Sequence, residues 1–225
     1  MTPAGERTVA TSHGEAHVLL DQAPEPPFLV VLTHGAAGGV EAPDLLAARD
    51  AALGLGGAVA RVVQPYQVRG GRAPGSATRQ DAAWIEIIAA VRDMPWRRPG
   101  GAAAAAAETT DHPAGGITLI QGGRSNGARV ACRTAPAVRA DGVIALAFPL
   151  HPPGHPERSR RGELLAAGVD VLAVSGGSDP FGIPDAADAG QVVVLAGEGH
   201  ALAKDPAAVS AVVAAWLRRR MLEPA

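Results

Sequence analysis

The sequence lacks the residues on which several classes of protein depend. It contains one cysteine, Cys132, so an intramolecular disulfide is excluded and the residue is expected to be a small buried hydrophobe. Aromatic residues make up 3% of the chain, too few for base stacking or for a belt at a membrane interface. The formal net charge of −2 gives no cationic surface for nucleic acid. Neither nucleic acid nor membrane is therefore expected as a partner.

Long apolar runs are also missing. No window approaches the roughly 18 consecutive apolar residues that a membrane-spanning helix requires. The segment from Met1 to His17 is polar and lacks the apolar stretch of a secretory signal, so we expect a cytoplasmic protein. With 47% apolar and 19% charged residues, the composition is that of a globular chain.

We predict a single domain over residues 1–225, with one unusual segment. From Pro95 to Gly116 the sequence is of low complexity and includes six consecutive alanines at 102–107. Such a segment between regular elements is typical of a surface insertion rather than of a domain boundary. A short helical turn through the alanines is the alternative interpretation.

Apolar runs typical of buried strands alternate with segments of helical periodicity. Strands are predicted at 16–20, 28–33, 58–63, 117–120, 142–148, 170–175 and 191–195. Helices are predicted at 43–55, 80–94, 128–133 and 157–167 and from Pro206 onward. The alternation indicates the α/β class, as a three-layer sandwich with helices on both faces of a mostly parallel sheet. In such sheets the functional groups collect at the carboxyl ends of the strands.

One strand-to-helix junction carries a candidate nucleophile. Gly123, Ser125 and Gly127 form the pattern Gly-x-Ser-x-Gly between a predicted strand and a predicted helix. The pattern is typical of a nucleophile elbow, a strained turn that lifts the serine hydroxyl clear of the sheet. A plain turn rich in small residues is the competing interpretation, so the assignment depends on partners elsewhere in the chain.

Two later strand ends carry the partners that such a serine needs. Asp179 and His200 each follow a predicted strand, and the order Ser125, Asp179, His200 is that of a catalytic triad in this sheet architecture. His200 would take the proton from Ser125, and Asp179 would orient the imidazole. Asp170 and Asp205 are alternative acids. Asp170 begins its strand at the opposite edge of the sheet, however, and Asp205 fits the N-cap of the last helix.

Acyl transfer also needs two backbone N–H groups that face the developing oxyanion. One is expected from Asn126, the residue after the serine. The other is expected from the loop after the strand at 28–33, with Ala36 as the first choice and Ala37 as the reserve. His34 in the same loop is expected to support it rather than to take part in chemistry.

Two loops at the same edge are candidates for the walls of a substrate pocket. Tyr66 and Arg69 lie in one of them, while Phe148 and His151 lie at the start of a proline-rich segment. Arg69 and its neighbour Arg72 could receive an acidic substrate or could be solvated loop charges, and both interpretations stay open.

Motifs for cofactors and metals are incomplete. The glycine-rich turn at 35–39 has Ala37 where a dinucleotide fingerprint needs its second glycine, and no Gly-Lys-Ser/Thr phosphate loop occurs. His151 and His155 are separated by prolines and joined by no cysteine. No cofactor and no metal are therefore expected.

These pieces together resemble the α/β-hydrolase superfamily over nearly the whole chain. A narrower resemblance is to small bacterial relatives of the hydrolase-like domain in a subunit of the NSL chromatin complex, a group near the dienelactone hydrolases. The matching segments are 33–36, 65–69, 122–125, 148–154, 178–182 and 199–200. The resemblance implies the α/β-hydrolase fold. Because the chain holds no large helical insertion, we expect a minimal cap.

Departures from this group bear on the activity. Asn126 and Ala128 stand where relatives often carry methionine and glycine, which would alter the pocket and leave the elbow intact. Dienelactone hydrolases use a cysteine at the elbow, so Ser125 argues against that activity.

The resulting hypothesis is a serine hydrolase that cleaves a small-molecule ester or thioester through an acyl-enzyme on Ser125. It would act as a monomer or a homodimer. The alternative hypothesis is a non-catalytic or weakly active binding or scaffold module that keeps the hydrolase fold. An intact triad disfavours this alternative, since a scaffold does not need one.

Overall fold

The structure, a computed structural model, describes residues 3–22, 26–94, 96 and 117–222. Apart from Trp96, the predicted insertion around 95–116 lies outside the described residues. The strands are β1 Pro3–Thr11, β2 Gly14–Gln22, β3 Phe28–Thr33, β4 Ala58–Val63, β5 Thr118–Arg124, β6 Gly142–Leu146, β7 Val171–Gly176 and β8 Gln191–Leu195. The helices are α1 Pro43–Gly54, α2 Pro65–Val68, α3 Ala77–Arg92, α4 Asn126–Thr134, α5 Arg161–Leu165 and α6 Pro206–Leu222.

The strands form one mostly parallel sheet in the order β1-β2-β4-β3-β5-β6-β7-β8. β1 pairs antiparallel with β2, and β2 pairs antiparallel with β4. All pairings from β4 through β3 to β8 are parallel. Parallel neighbours need crossover connections. Helices lie in these connections up to β7, whereas residues 177–190 between β7 and β8 form no helix. The carboxyl ends of β3 to β8 therefore meet at one edge of the sheet.

The helices cover both faces of this sheet, so the predicted three-layer α/β architecture is confirmed. Successive residues of β3 alternate between two cores because side chains of a strand point to opposite faces. Val30 and Leu32 pack with apolar residues of α1 and α6, whereas Leu29 and Val31 pack with those of α3 and α4. Cys132 lies in the second core with 0% exposure, and burial raises the pKa of its thiol to about 12.

Several boundaries differ from the sequence prediction. The helix predicted at 157–167 is limited to α5, because Arg160 is tied to the proline-rich loop before it. Its N–H donates to Leu150 O at 2.6 Å and its guanidinium to Pro149 O at 3.0 Å. The strand predicted at 142–148 ends at Leu146, where Ala147 turns the chain with a φ of 47°.

The segment between β4 and α3 also differs from the predicted loop. It contains α2, whose first residue, Pro65, has a fixed φ that suits a helix start. α3 begins at Ala77, ahead of the predicted start, because Ser76 caps it by accepting the Arg79 N–H at 3.4 Å. α2 and the first turn of α3 shape the side of the carboxyl edge that lies next to β2 and β4.

Candidate active site

The turn from β5 into α4 holds Ser125 in a strained conformation. Its φ of 51° and ψ of −114° lie in a region that residues other than glycine rarely adopt. A Cβ on Gly123 or on Gly127 would come within 2.6 Å of Thr33 O. The two glycines therefore let the turn pack against the end of β3, and the prediction of a sharp strand-to-helix junction at this position is confirmed.

The carboxyl edge brings three distant side chains into one hydrogen-bonded row. His200 Nε2 lies 2.9 Å from Ser125 Oγ, and His200 Nδ1 lies 2.8 Å from Asp179 Oδ2. Because a carboxylate only accepts hydrogen bonds, the imidazole carries its proton on Nδ1. Nε2 is then left as an acceptor for the serine hydroxyl, which is the arrangement that a general base requires.

The loop after β7 fixes both the acid and the imidazole. The Asp179 side chain is 0% exposed, and its second oxygen, Oδ1, accepts the Phe181 N–H at 2.9 Å. The Phe181 ring packs on the His200 ring with the centroids 4.2 Å apart. The imidazole is therefore held by the carboxylate at one end and by an aromatic ring on one face.

The alternative acids have other partners. Asp170 accepts from Arg220 Nη1 at 2.8 Å and from Trp216 Nε1 at 3.1 Å, at the amino edge of the sheet. Asp205 accepts the Ala208 N–H at 3.0 Å at the start of α6. Both therefore have the structural positions that the sequence predicted for them.

The loop after β3 is held by a buried, neutral histidine. His34 Nε2 accepts the Gln64 N–H at 3.0 Å, so its Nδ1 carries the proton and donates to Gly35 O at 2.8 Å. Burial lowers the pKa of His34, in keeping with this single neutral tautomer. His34 is therefore a support for the loop, as the sequence predicted.

His34 and Tyr66 together orient two successive peptide groups in this loop, beside the serine. The Gly35 carbonyl is held by His34, and Tyr66 Oη donates to Ala36 O at 3.2 Å. In a trans peptide the N–H points opposite to the carbonyl of the same plane. The N–H groups of Ala36 and Ala37 therefore point away from His34 and Tyr66. Gly35 lies against the serine, since a Cβ there would meet Ser125 Cβ at 3.3 Å.

Asn126 is placed so that its backbone and its side chain serve different purposes. It is the first residue of α4, and the first N–H groups of a helix have no partner within the helix. Its side chain is turned away, since Nδ2 donates to Gln80 Oε1 at 2.6 Å. The backbone N–H is therefore available at the elbow.

A cavity of about 440 Å³ lies beside two side chains that support this site. Its lining includes Gln80, which bonds Asn126, and Tyr66, which bonds the loop after β3. Arg69 and Arg79 are exposed and line it too, and the described residues that line it include no carboxylate. Arg69 also donates to His13 O. The cavity therefore has a cationic rim, and the described residues that line it do not include Ser125, Asp179 or His200.

The other two residues predicted for the pocket lie elsewhere. Phe148 is 0% exposed and belongs to the core beneath α4, because burying a large apolar ring is favourable. His151 is half-buried and lies over Gly182, where a Cβ would come within 2.5 Å of His151 Nε2. The backbone N–H of His151 donates to Phe181 O at 3.0 Å, so the proline-rich loop is attached to the loop that carries Asp179.

The described part of the chain holds neither a candidate metal centre nor a helix that could span a membrane. No group of three or more His, Cys, Asp or Glu residues in the described ranges could hold a metal ion. No described helix is long and apolar enough to cross a bilayer.

Comparison with known proteins identifies the family. Residues 26–194 match an alpha/beta hydrolase domain. The chain belongs to the alpha/beta hydrolase family. The match spans more than half of the chain and includes Ser125 and Asp179, but it ends before His200. No curated protein sequence matches the chain.

Solved structures confirm the fold. Est1E from Butyrivibrio proteoclasticus superposes with a TM-score of 0.72 at 13% identity, covering 98% of this chain and 100% of that one. XC6422 from Xanthomonas campestris, described as an α/β serine hydrolase without a lid, gives 0.70 at 18% identity, covering 100% and 98%. At these identities the likeness shows the fold. Family and fold together support a hydrolase activity in general terms.

Sequence reasoning missed three residues at the site. Phe181 stacks on His200, Gln80 holds the Asn126 side chain, and Arg124 bonds the backbone of His200. Phe181 follows the Asp179-Pro180 turn, so its position next to the acid was a usable signal. Gln80 lies in an ordinary polar position, and Arg124 occupies a position that the Gly-x-Ser-x-Gly pattern leaves open to any residue.

Proposed function

We propose that this protein is a serine hydrolase that cleaves a small ester or thioester through an acyl-enzyme on Ser125. The observation that carries the proposal is the hydrogen-bonded row from Asp179 Oδ2 through the His200 ring to Ser125 Oγ, with separations of 2.8 and 2.9 Å. A nucleophile, a base within reach and an acid behind the base are the parts that acyl transfer requires.

In the first half of the reaction, Ser125 Oγ attacks the carbonyl carbon while His200 Nε2 takes the hydroxyl proton. The resulting imidazolium is stabilised by the Asp179 carboxylate. The tetrahedral intermediate collapses as the bond to the alcohol or thiol breaks, and His200 returns the proton to that leaving group. Ser125 is then esterified by the acyl group.

In the second half, water takes the place of the serine as nucleophile. His200 removes a proton from the water as it attacks the acyl carbon, and then protonates Ser125 Oγ as the serine leaves. The carboxylic acid departs and the free enzyme is restored. Each half develops a negative charge on the carbonyl oxygen, which the N–H groups of Asn126 and Ala36 would stabilise, with Ala37 as the alternative to Ala36.

The cavity beside Tyr66 is proposed to hold part of the substrate, with Arg69 at its rim. His151 would border the other side of the site, and Phe148 would support that side from within the core. No residue of this scheme requires a cofactor.

Labelling with a fluorophosphonate tests the proposal. The wild-type protein should gain one covalent adduct, and Ser125→Ala should gain none. On a panel of nitrophenyl esters of graded chain length, Ser125→Ala should lower kcat by a factor on the order of 10⁶. A folded wild-type protein that is neither labelled nor active would favour the scaffold hypothesis. Equal rates for wild type and Ser125→Ala would refute the assignment.

A further inference from the structure

Arg124, the residue before the nucleophile, connects two parts of the site that are far apart in sequence. Its guanidinium Nε donates to Asp44 Oδ2 at 2.9 Å, and its Nη2 donates to the backbone carbonyl of His200 at 3.0 Å. The Arg124 side chain is 15% exposed and the Asp44 side chain 0%. One planar group therefore bridges α1 and the loop that follows β8.

Asp44 is an unusual residue for its position. It lies in the first turn of α1 with Oδ1 bonded to the Leu45 N–H at 2.9 Å. Burial raises the pKa of the Asp44 carboxyl, against the opposing charge of Arg124. A buried ion pair adds little net stability compared with apolar residues of the same volume, although losing one partner is costly. Stability alone therefore gives a weak reason for this pair.

The backbone of the loop that carries His200 must be held in place, and the pair of Arg124 and Asp44 can hold it. This loop follows β8, one of the two edge strands of the sheet, and the residues of β8 are mostly half-exposed. The loop contains two left-handed residues, Gly197 with a φ of 78° and Leu202 with a φ of 47°. Arg124 bonds the carbonyl of His200 itself, and Arg124 is joined to Ser125 by a peptide bond. The same residue thus holds the nucleophile covalently and the base by a hydrogen bond.

We propose that Arg124 is a positioning residue: together with Asp44 it fixes the backbone of His200 at the distance from Ser125 that proton transfer requires. The inference rests on the proposed function. Asp44 orients the guanidinium, and the guanidinium orients the histidine. Neither residue touches the substrate in this scheme.

The expected kinetic signature follows from that role. A misplacement of about 1 Å in a catalytic group can lower the rate by about 10²-fold. Arg124→Gln should therefore lower kcat, and the rate constant for fluorophosphonate labelling of Ser125, by about 10²-fold. KM should change by less than about threefold, since the cavity residues are untouched. Arg124→Lys, which keeps the charge but not the planar fork, should fall between Arg124→Gln and wild type.

A second ion pair, whose arginine is about as buried as Arg124 and whose acid is more exposed than Asp44, supplies the control. Arg133 on α4 is 14% exposed and bonds both oxygens of Asp81, at distances from 2.7 to 3.2 Å. Arg133 also bonds Glu163, and none of these contacts reaches the His200 loop. Arg133→Gln should lower the thermal unfolding midpoint and leave kcat within about twofold of wild type, which separates a loss of stability from a loss of rate.

The outcomes separate this inference from the proposed function. Labelling of the wild type with an unchanged labelling rate in Arg124→Gln would overturn the positioning role and leave the hydrolase proposal intact. No labelling of the wild type would overturn the hydrolase proposal itself. If Arg124→Gln does not fold, Asp44→Asn, which keeps the shape of the side chain, should lower kcat by about tenfold with KM nearly unchanged. An unchanged kcat in a folded Asp44→Asn protein would contradict the inference.

Discussion

The two ends of β7 each carry an aspartate, and the structure gives the two carboxylates different partners. Asp170 precedes Val171, is 36% exposed at its side chain and accepts from the guanidinium of Arg220. Asp179 follows Gly176, is 0% exposed at its side chain and accepts from the imidazole of His200. Both residues are aspartates, and one strand separates them. They differ in the partner that each carboxylate binds and in the edge of the sheet at which each lies.

This difference shows how a parallel sheet divides its two edges. A guanidinium is always charged and can only anchor a carboxylate, whereas an imidazole can gain and lose a proton near neutral pH. At the amino edge Asp170 ties the end of α6 to the sheet. At the carboxyl edge Asp179 faces a base that in turn faces a hydroxyl. The first is a structural contact, and we propose that the second is a catalytic one.

The largest expected effect separates the two aspartates directly. Asp179→Asn should lower kcat by about 10⁴-fold, because an amide does not enforce the imidazole tautomer that accepts the serine proton. Nitrophenyl ester hydrolysis under saturating substrate measures it. Asp170→Asn is the control and should stay within about twofold of wild type. Similar losses in both variants would mean that the two edges do not differ in function.

A smaller effect is expected at the cationic cavity on the carboxyl edge. If Arg69 and Arg79 receive an anionic part of the substrate, Arg69→Gln combined with Arg79→Gln should raise KM about tenfold for an ester that bears a free carboxylate. KM for a neutral ester of equal length should not change. Arg72→Gln is the control, since Arg72 is not among the residues that line the cavity. If KM responds equally for the two esters, Arg69 and Arg79 do not recognise the carboxylate and are interpreted as solvated loop charges.

At the amino edge the expected effect is on stability and not on rate. Asp170→Asn should lower the free energy of unfolding by about 1 kcal/mol, because it weakens a partly exposed ion pair and a hydrogen bond from Trp216. Urea denaturation of the variant and the wild type measures it. A fall in kcat of Asp170→Asn without a change in its stability would contradict the structural role assigned to the amino edge.

The smallest expected effect concerns the buried His34. Its pKa is lowered from 6.5 by burial, so below about pH 6.5 the unfolded chain binds a proton more readily than the folded one. Stability should therefore decline as the pH falls through that range. Urea denaturation at pH 8 and pH 5.5 should show a smaller decline in His34→Gln than in wild type. Equal declines would mean that His34 is not held neutral.

The sequence predicted those elements whose signals are local. The bounds of β3, β4 and β8 agree with the apolar runs at 28–33, 58–63 and 191–195, because a glycine or proline lies within two residues of each end. The Gly-x-Ser-x-Gly turn was predictable for the same reason, since backbone geometry requires glycine at both positions. The order of the strand ends then indicated which aspartate and which histidine would meet the serine.

Other features depend on contacts between distant segments and have no local signal. The ion pair of Arg124 and Asp44 joins residues 80 positions apart. The burial of Phe148 depends on how the chain turns at Ala147, and α5 is shortened by hydrogen bonds from Arg160 to the loop before it. Period and propensity describe a segment by itself, so they do not detect such contacts.

The most direct test of the central claim is to trap the intermediate. After rapid quenching of a reaction with nitrophenyl acetate, peptide mass mapping should find one acetyl group on the peptide that contains Ser125. The adduct should be absent from Ser125→Ala and greatly reduced in His200→Gln. Ester turnover by the wild type without that adduct, or with the acetyl group on another residue, would contradict the account.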